Sequence, residues 1–153
     1  MRRLLLAVLL LCSSVQASEP KILRYAFRAA ETGFDPSQLT DIYSRAVTSH
    51  IFEALYTYDP LARPARMVPL TAAGAPEISA DFRTFTIRIK PGIFFVADPA
   101  FKGSPRELVA QDYVYSFKRF ADPALKSPGW SSYEEAGFIG LAALRQQALK
   151  RKK

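Results

Sequence analysis

Hydrophobic and polar positions divide the chain into segments whose spacing changes several times. Ile22-Leu23-Arg24-Tyr25-Ala26-Phe27 is rich in strand-forming side chains and predicts a strand that opens the fold. Phe34-Asp35-Pro36 predicts a turn, because the residue before a proline avoids the α region. From Asp41 to Tyr56 the apolar residues Ile42, Ala46, Val47, Ile51, Ala54 and Leu55 recur at helical spacing, and Asp59-Pro60 ends that helix. Leu61 to Pro76, broken by Pro64, Pro69 and Pro76, predicts an ordered surface loop.

Phe85, Ile87 and Ile89 then alternate with Thr84, Thr86, Arg88 and Lys90, the pattern of a half-buried strand. Pro91-Gly92 predicts a turn, and Lys102 to Arg106 a loop. Tyr113, Val114, Phe117, Phe120 and Ala121 form one helical stripe, closed by Asp122-Pro123. Val109 stands where a Ser or Thr cap is expected, and Asp112 offsets that weakness through the helix dipole. Leu141, Leu144, Ala148 and Leu149 predict a last amphipathic helix. Strands mixed with helices over 153 residues define a mixed α/β class and one domain of ordinary size.

The first 17 residues stand apart. Met1-Arg2-Arg3 is a positive start, Leu4 to Leu11 an unbroken apolar run, and Val15-Gln16-Ala17 a peptidase site, which places cleavage before Ser18. Eight apolar residues are too few to span a bilayer, which takes about 20 as helix. Residues 1–17 therefore read as a cleavable export signal, and the mature chain as periplasmic. Cys12 admits a second reading, an acylated lipoprotein cysteine, but Leu11 is not the small residue expected before one. Cys12 is the single cysteine, so the mature chain offers no disulfide, thiol nucleophile or cysteine ligand.

The net charge of +7 suggests a nucleic-acid partner until its distribution is considered. Setting aside Arg2, Arg3 and the basic residues Arg145, Lys150, Arg151, Lys152 and Lys153 leaves 14 basic against 14 acidic residues. A nucleic-acid binder carries a basic face on its fold, and this body is neutral, so no nucleic acid is expected. His50 is the one histidine, placed within the first helix, which argues against a triad or a metal site. No phosphate-binding glycine loop occurs, and no carboxylate pair is singled out by spacing. Enzyme activity, catalytic residues, metals and cofactors are therefore not expected. Trp130 follows Ser127-Pro128-Gly129 in what reads as a loop, where an aromatic side chain could cover a ligand.

Several segments in order carry a resemblance. Phe34-Asp35-Pro36, Phe52-Glu53-Ala54-Leu55-Tyr56-Thr57-Tyr58-Asp59, Pro91-Gly92-Ile93-Phe94-Phe95, Asp98-Pro99-Ala100-Phe101-Lys102-Gly103 and Val109 to Pro123 together resemble the extracellular solute-binding proteins of ABC importers, family 5, the peptide- and nickel-binding type. Val96-Ala97-Asp98 stands where that family often has His-Asp-Gly. The resemblance implies a receptor of the type II periplasmic-binding fold that closes two lobes around a peptide or similar solute. It also implies docking on an ABC permease in the inner membrane. Its ligand-facing positions map to Thr40, Asp41 and Ile42 after the Phe34-Asp35-Pro36 turn, and to Ser127, Pro128, Gly129 and Trp130. Residues 18–153 are expected to form an incomplete N-terminal lobe, a truncated fragment of such a receptor. Two further readings stand beside it: a stand-alone exported single-lobe binding or interaction module, and a remnant that binds no ligand. An exported hydrolase is the remaining class, and the single histidine weighs against it. The identity of the solute is left open.

Overall fold

The computed structural model describes residues 20–151. The export signal read over residues 1–17, with Cys12, and the last two basic residues of the chain lie outside them. In chain order the described elements are helix α1 (Ile42–Thr48), strands β1 (Tyr56–Tyr58), β2 (Met67–Pro69), β3 (Glu77–Ile78) and β4 (Phe85–Thr86), a 3-10 turn (Pro99–Phe101), and helices α2 (Ala110–Ala121), α3 (Trp130–Glu135) and α4 (Leu141–Arg151). Helices and small antiparallel sheets mix along the chain, which is compatible with the α/β class.

The opening strand is the first correction. Residues 22–27 have no ladder partner among the described residues, and Leu23 is 92% exposed. Strand-forming side chains make a strand only when another backbone supplies the hydrogen bonds.

The first helix is shorter than its periodicity and turned the other way. It stops at Thr48, where the Thr48 and Ser49 hydroxyls donate to the carbonyls of Arg45 and Ala46 and compete with the helical ladder. Leu55 and Tyr56, the end of the expected helix, join a hairpin instead: the Leu55 carbonyl accepts from the amides of Leu70 and Ala72. The buried face of α1 is Ser44 and Thr48, while Ile42 is 72% exposed.

The proline-rich stretch is also more regular than a loop. Met67–Pro69 pairs antiparallel with Tyr56–Tyr58, in the register Tyr56 to Pro69, Thr57 to Val68 and Tyr58 to Met67. Pro69 is tolerated because the two-stranded sheet needs no donor from its outer edge. The alternating run from Thr84 to Lys90 splits between two partners. Phe85–Thr86 pairs with Glu77–Ile78, whereas Ile89 bridges Ala72, and Arg88 and Lys90 bond to Ala73 and Thr71. Pro76 has no N–H and interrupts any continuous partner strand between those sites. Gly92 takes φ +77, the conformation the Pro91-Gly92 turn requires.

Helix α2 is the frame of the molecule. Val109 lacks a capping oxygen, and the Asp112 carboxylate reaches back instead to accept the Val109 amide at 2.8 Å while pairing with Arg106. A directed hydrogen bond thus does what the dipole alone was expected to do. Ala121 at its C-terminal end is fully buried. Thr71, 1% exposed, joins α2 to the hairpins: its hydroxyl lies 2.5 Å from the Tyr113 hydroxyl and 3.0 Å from the Ala54 carbonyl. On the other side, Phe117 and Phe120 of α2 meet Tyr133 of α3 at 5.7 and 4.6 Å between ring centroids, and Phe138 closes the cluster. Helix α4 packs on α2 with Leu141, Leu144 and Ala148 turned inward, as its spacing predicts, but Leu149 faces solvent.

Candidate functional site

Ser127–Trp130 follows the C-terminal end of α2, and the residues that lead into Thr40–Ile42 are tied to the same region by Asp35 and Gln38. The first is built on hydrogen bonds. Asp35 opens the Phe34-Asp35-Pro36 turn, with its main-chain carbonyl accepting from Gln38, and its Oδ1 accepts both the Ser37 amide (3.1 Å) and the Ser37 hydroxyl (2.8 Å). Asp41 is the N-cap of α1: Oδ1 accepts the Ser44 amide at 2.7 Å, and Oδ2 accepts the Thr32 hydroxyl at 2.6 Å. Ser44, fully buried, accepts the Thr32 amide at 2.9 Å. Every buried side-chain polar atom among the described residues has a partner.

These bonds fix the charge state. Hydrogen bonds from Ser44, then from Thr32, hold the Asp41 carboxyl well below the usual carboxylate range. Partial burial pushes the Asp35 carboxyl up, but Ser37 and then Arg119 outweigh it, and the net shift is downward. Asp41 therefore stays ionised at neutral pH with two of its roughly four acceptor positions in use. Thr40 and Ile42, on either side of it, are exposed.

The second segment is built on rings. Ser127 is buried, and its Oγ accepts the Gly129 amide at 3.3 Å. Pro128 is exposed. Gly129 lies so close to Phe120 that a Cβ would stand 3.2 Å from the ring. Trp130 is not in a loop but is the first residue of α3, because its amide bonds to the Ser127 carbonyl and starts the turn. The Arg145 guanidinium lies 4.8 Å from its ring centroid and also donates to the Ala121 carbonyl at 3.3 Å. One indole face is thus covered by a cation from α4, and Trp130 is half-buried.

What joins the segments was not visible in sequence. Arg119 of α2 pairs with Asp35 Oδ2, and the Gln38 side-chain Nε2 donates to the Leu125 carbonyl at 3.2 Å. Asp35 and Arg119 are 84 residues apart, and nothing in the spacing links them. The sequence signals were local ones: an aspartate before proline, and an arginine ending an amphipathic helix. Two depressions, of about 510 Å³ at the Asp59–Arg66 loop and about 350 Å³ between α2 and α4, lie elsewhere and are lined by neither segment. The exposed members of the two segments are Thr40, Ile42 and Pro128. His50 is exposed in the turn after α1. No group of three potential metal ligands occurs among the described residues, and no helix there is long and apolar enough to cross a membrane.

The chain is similar to three proteins of known role. Di/tripeptide-binding protein 2 of Pseudomonas aeruginosa is 35% identical over 121 residues, 78% of this chain and 22% of that protein. The dipeptide-binding protein of Lactococcus lactis is 29% identical over 116 residues, 76% of this chain and 19% of its own length. Di/tripeptide-binding protein 4 of Pseudomonas aeruginosa is 30% identical over 124 residues, 80% of this chain and 22% of that protein. The chain spans about a fifth of the length of these relatives. No family model matches the chain. No solved structure matches it significantly. The resemblance read from the motifs therefore stands: the chain is a relative of the family-5 solute-binding proteins of the peptide type.

Proposed function

We propose that this chain supplies part of the peptide-contacting wall of an exported solute-binding receptor, and that its Thr40–Ile42 and Ser127–Trp130 segments face the ligand. The observation that carries the reading is the joint between those segments. The residues just before two stretches far apart in sequence, each marked by the resemblance, are tied to one another by Arg119–Asp35 and Gln38–Leu125. An ionised Asp41 beside an exposed hydroxyl and an exposed aliphatic side chain suits a short peptide, which brings an ammonium, amides and apolar side chains. In this reading residues 1–17 direct export to the periplasm, residues 18–153 are an incomplete N-terminal lobe, and the assembled receptor delivers its solute to an ABC permease. The large apolar side chains exposed along the hairpins and the opening segment support a section of a larger fold over a stand-alone module.

A ligand pocket encloses most of its ligand, whereas one open wall does not, so binding by this chain alone is expected near 1 mM, about −4 kcal/mol. Amide resonances of the isotope-labelled chain titrated with di- and tripeptides test this. Displacements concentrated in residues 32–44 and 125–131 support the proposal. Peptide-induced changes elsewhere only, or none at saturating peptide, overturn it.

A further inference from the structure

The Asp35–Arg119 pair has a geometry that plain surface ion pairs lack. Each partner is fixed on its own side before the two meet. Asp35 commits Oδ1 to the Ser37 amide and hydroxyl, with Ser37 itself buried, so Oδ2 is left pointing at Arg119. Arg119 donates its other terminal nitrogen to the Tyr115 hydroxyl one helical turn back, at 3.4 Å, with the guanidinium carbon 5.9 Å from that ring centroid. Both side chains are half-buried: Asp35 is 30% and Arg119 32% exposed. Local contacts thus reduce the side-chain entropy loss that makes most surface pairs weak. Gln38, three residues after Asp35, adds a second tie to Leu125, two residues before Ser127.

Asp35 sits five residues before Thr40, and Arg119 eight residues before Ser127. We infer that Asp35 and Arg119 are positioning residues, an ion-pair clamp that sets the spacing between the two ligand-facing segments without touching the ligand. This rests on the peptide-wall reading above. A pair that only stabilised the fold would lower melting temperature when broken and leave the geometry of the remote segment alone.

The test uses Asp35→Asn, Arg119→Gln and the two combined. Amide resonances are recorded first without peptide and then with a dipeptide. Each single change is expected to displace the Ser127, Gly129 and Trp130 resonances in the free protein and to weaken the dipeptide response about three- to tenfold. The combined variant should be no worse than either single. Ser37→Ala keeps both charges and only loosens Asp35, so it serves if a charge variant does not fold; the same amides should move less far. Additive losses overturn the clamp, as does a lowered melting temperature with unmoved remote amides. If the dipeptide moves nothing in the unaltered protein, the peptide reading fails, and the peptide-free displacements still decide the clamp.

Discussion

The two segments of the candidate site are held by opposite kinds of interaction. The Thr32–Ser44 side is a hydrogen-bond network of short polar side chains, closed around buried Ser37 and Ser44. The Ser127–Trp130 side rests on Phe120 and Tyr133, whose centroids are 4.6 Å apart, and on Arg145 over the indole. Hydrogen bonds are directional, so the first side fixes atoms to defined angles and depends on charge state. Ring packing is less directional, so the second side tolerates small shifts but loses much when volume is removed. A site built this way has one side set by protonation and the other by packing.

The largest way to separate them is Phe120→Ala. The ring is half-buried, so its removal is expected to cost about 2 kcal/mol, roughly 8 °C in melting temperature for a chain this size. The Trp130 resonances should broaden or shift, whereas the Ser44 amide keeps its protection from exchange. Equal loosening of both sides would show that the two do not differ as described.

The sequence made the second side more legible than the first. The stripe of Tyr113, Val114, Phe117, Phe120 and Ala121 and the spacing of Leu141, Leu144, Ala148 and Leu149 gave both helices and most of their inward faces, Val114 and Leu149 being the exposed exceptions, because apolar burial at a 3.6-residue period leaves a mark. Helix α1 left a misleading one. Its buried residues are Ser44 and Thr48, and its isoleucine is in solvent, so reading the apolar stripe as the inward face inverts it. Polar networks bury side chains that composition marks as surface, and only the partners reveal why. The Asp35–Arg119 pair and the Thr71–Tyr113 contact were equally hidden, since each joins residues far apart in sequence. The short ladders β1 to β4 failed for a related reason: pairing, not side-chain preference, decided which part of each run became strand.

Acid should loosen the first side and spare the second. The carboxyls of Asp41 and Asp35 are depressed in the folded protein from an ordinary value of 3.8. Their contribution is therefore fully present above that value and is lost as pH falls through the lower folded values. Between pH 7 and about 5 the amides of Ser37 and Ser44 should keep their exchange protection. Below about 4 that protection should begin to weaken and then be lost as pH falls through the lower folded values, with the rings around Tyr133 still packed. Loss of the Ser44 protection already at pH 5 to 6 would contradict the hydrogen-bonded Asp41.

The smallest effect is the most discriminating. Gly129 has φ −81 and ψ −5, an ordinary right-handed conformation, so alanine brings no backbone strain and restricts the unfolded chain. That restriction alone would stabilise by about 0.4–1 kcal/mol. Against it, the new Cβ would stand 3.2 and 3.3 Å from two Phe120 carbons and 3.7 Å from the Ser127 hydroxyl oxygen. The ring must yield by a few tenths of an ångström against Tyr133, and the two effects should nearly cancel, leaving a change within about 0.5 kcal/mol. In a Phe120→Ala background the obstacle is gone and only the chain restriction remains. Gly129→Ala should then be stabilising relative to Phe120→Ala, so the two substitutions couple rather than add. A double-mutant cycle by thermal denaturation measures that coupling. Strict additivity would mean that Phe120 does not bear on the Gly129 backbone, and the second side of the site would then be held by Arg145 and Trp130 alone.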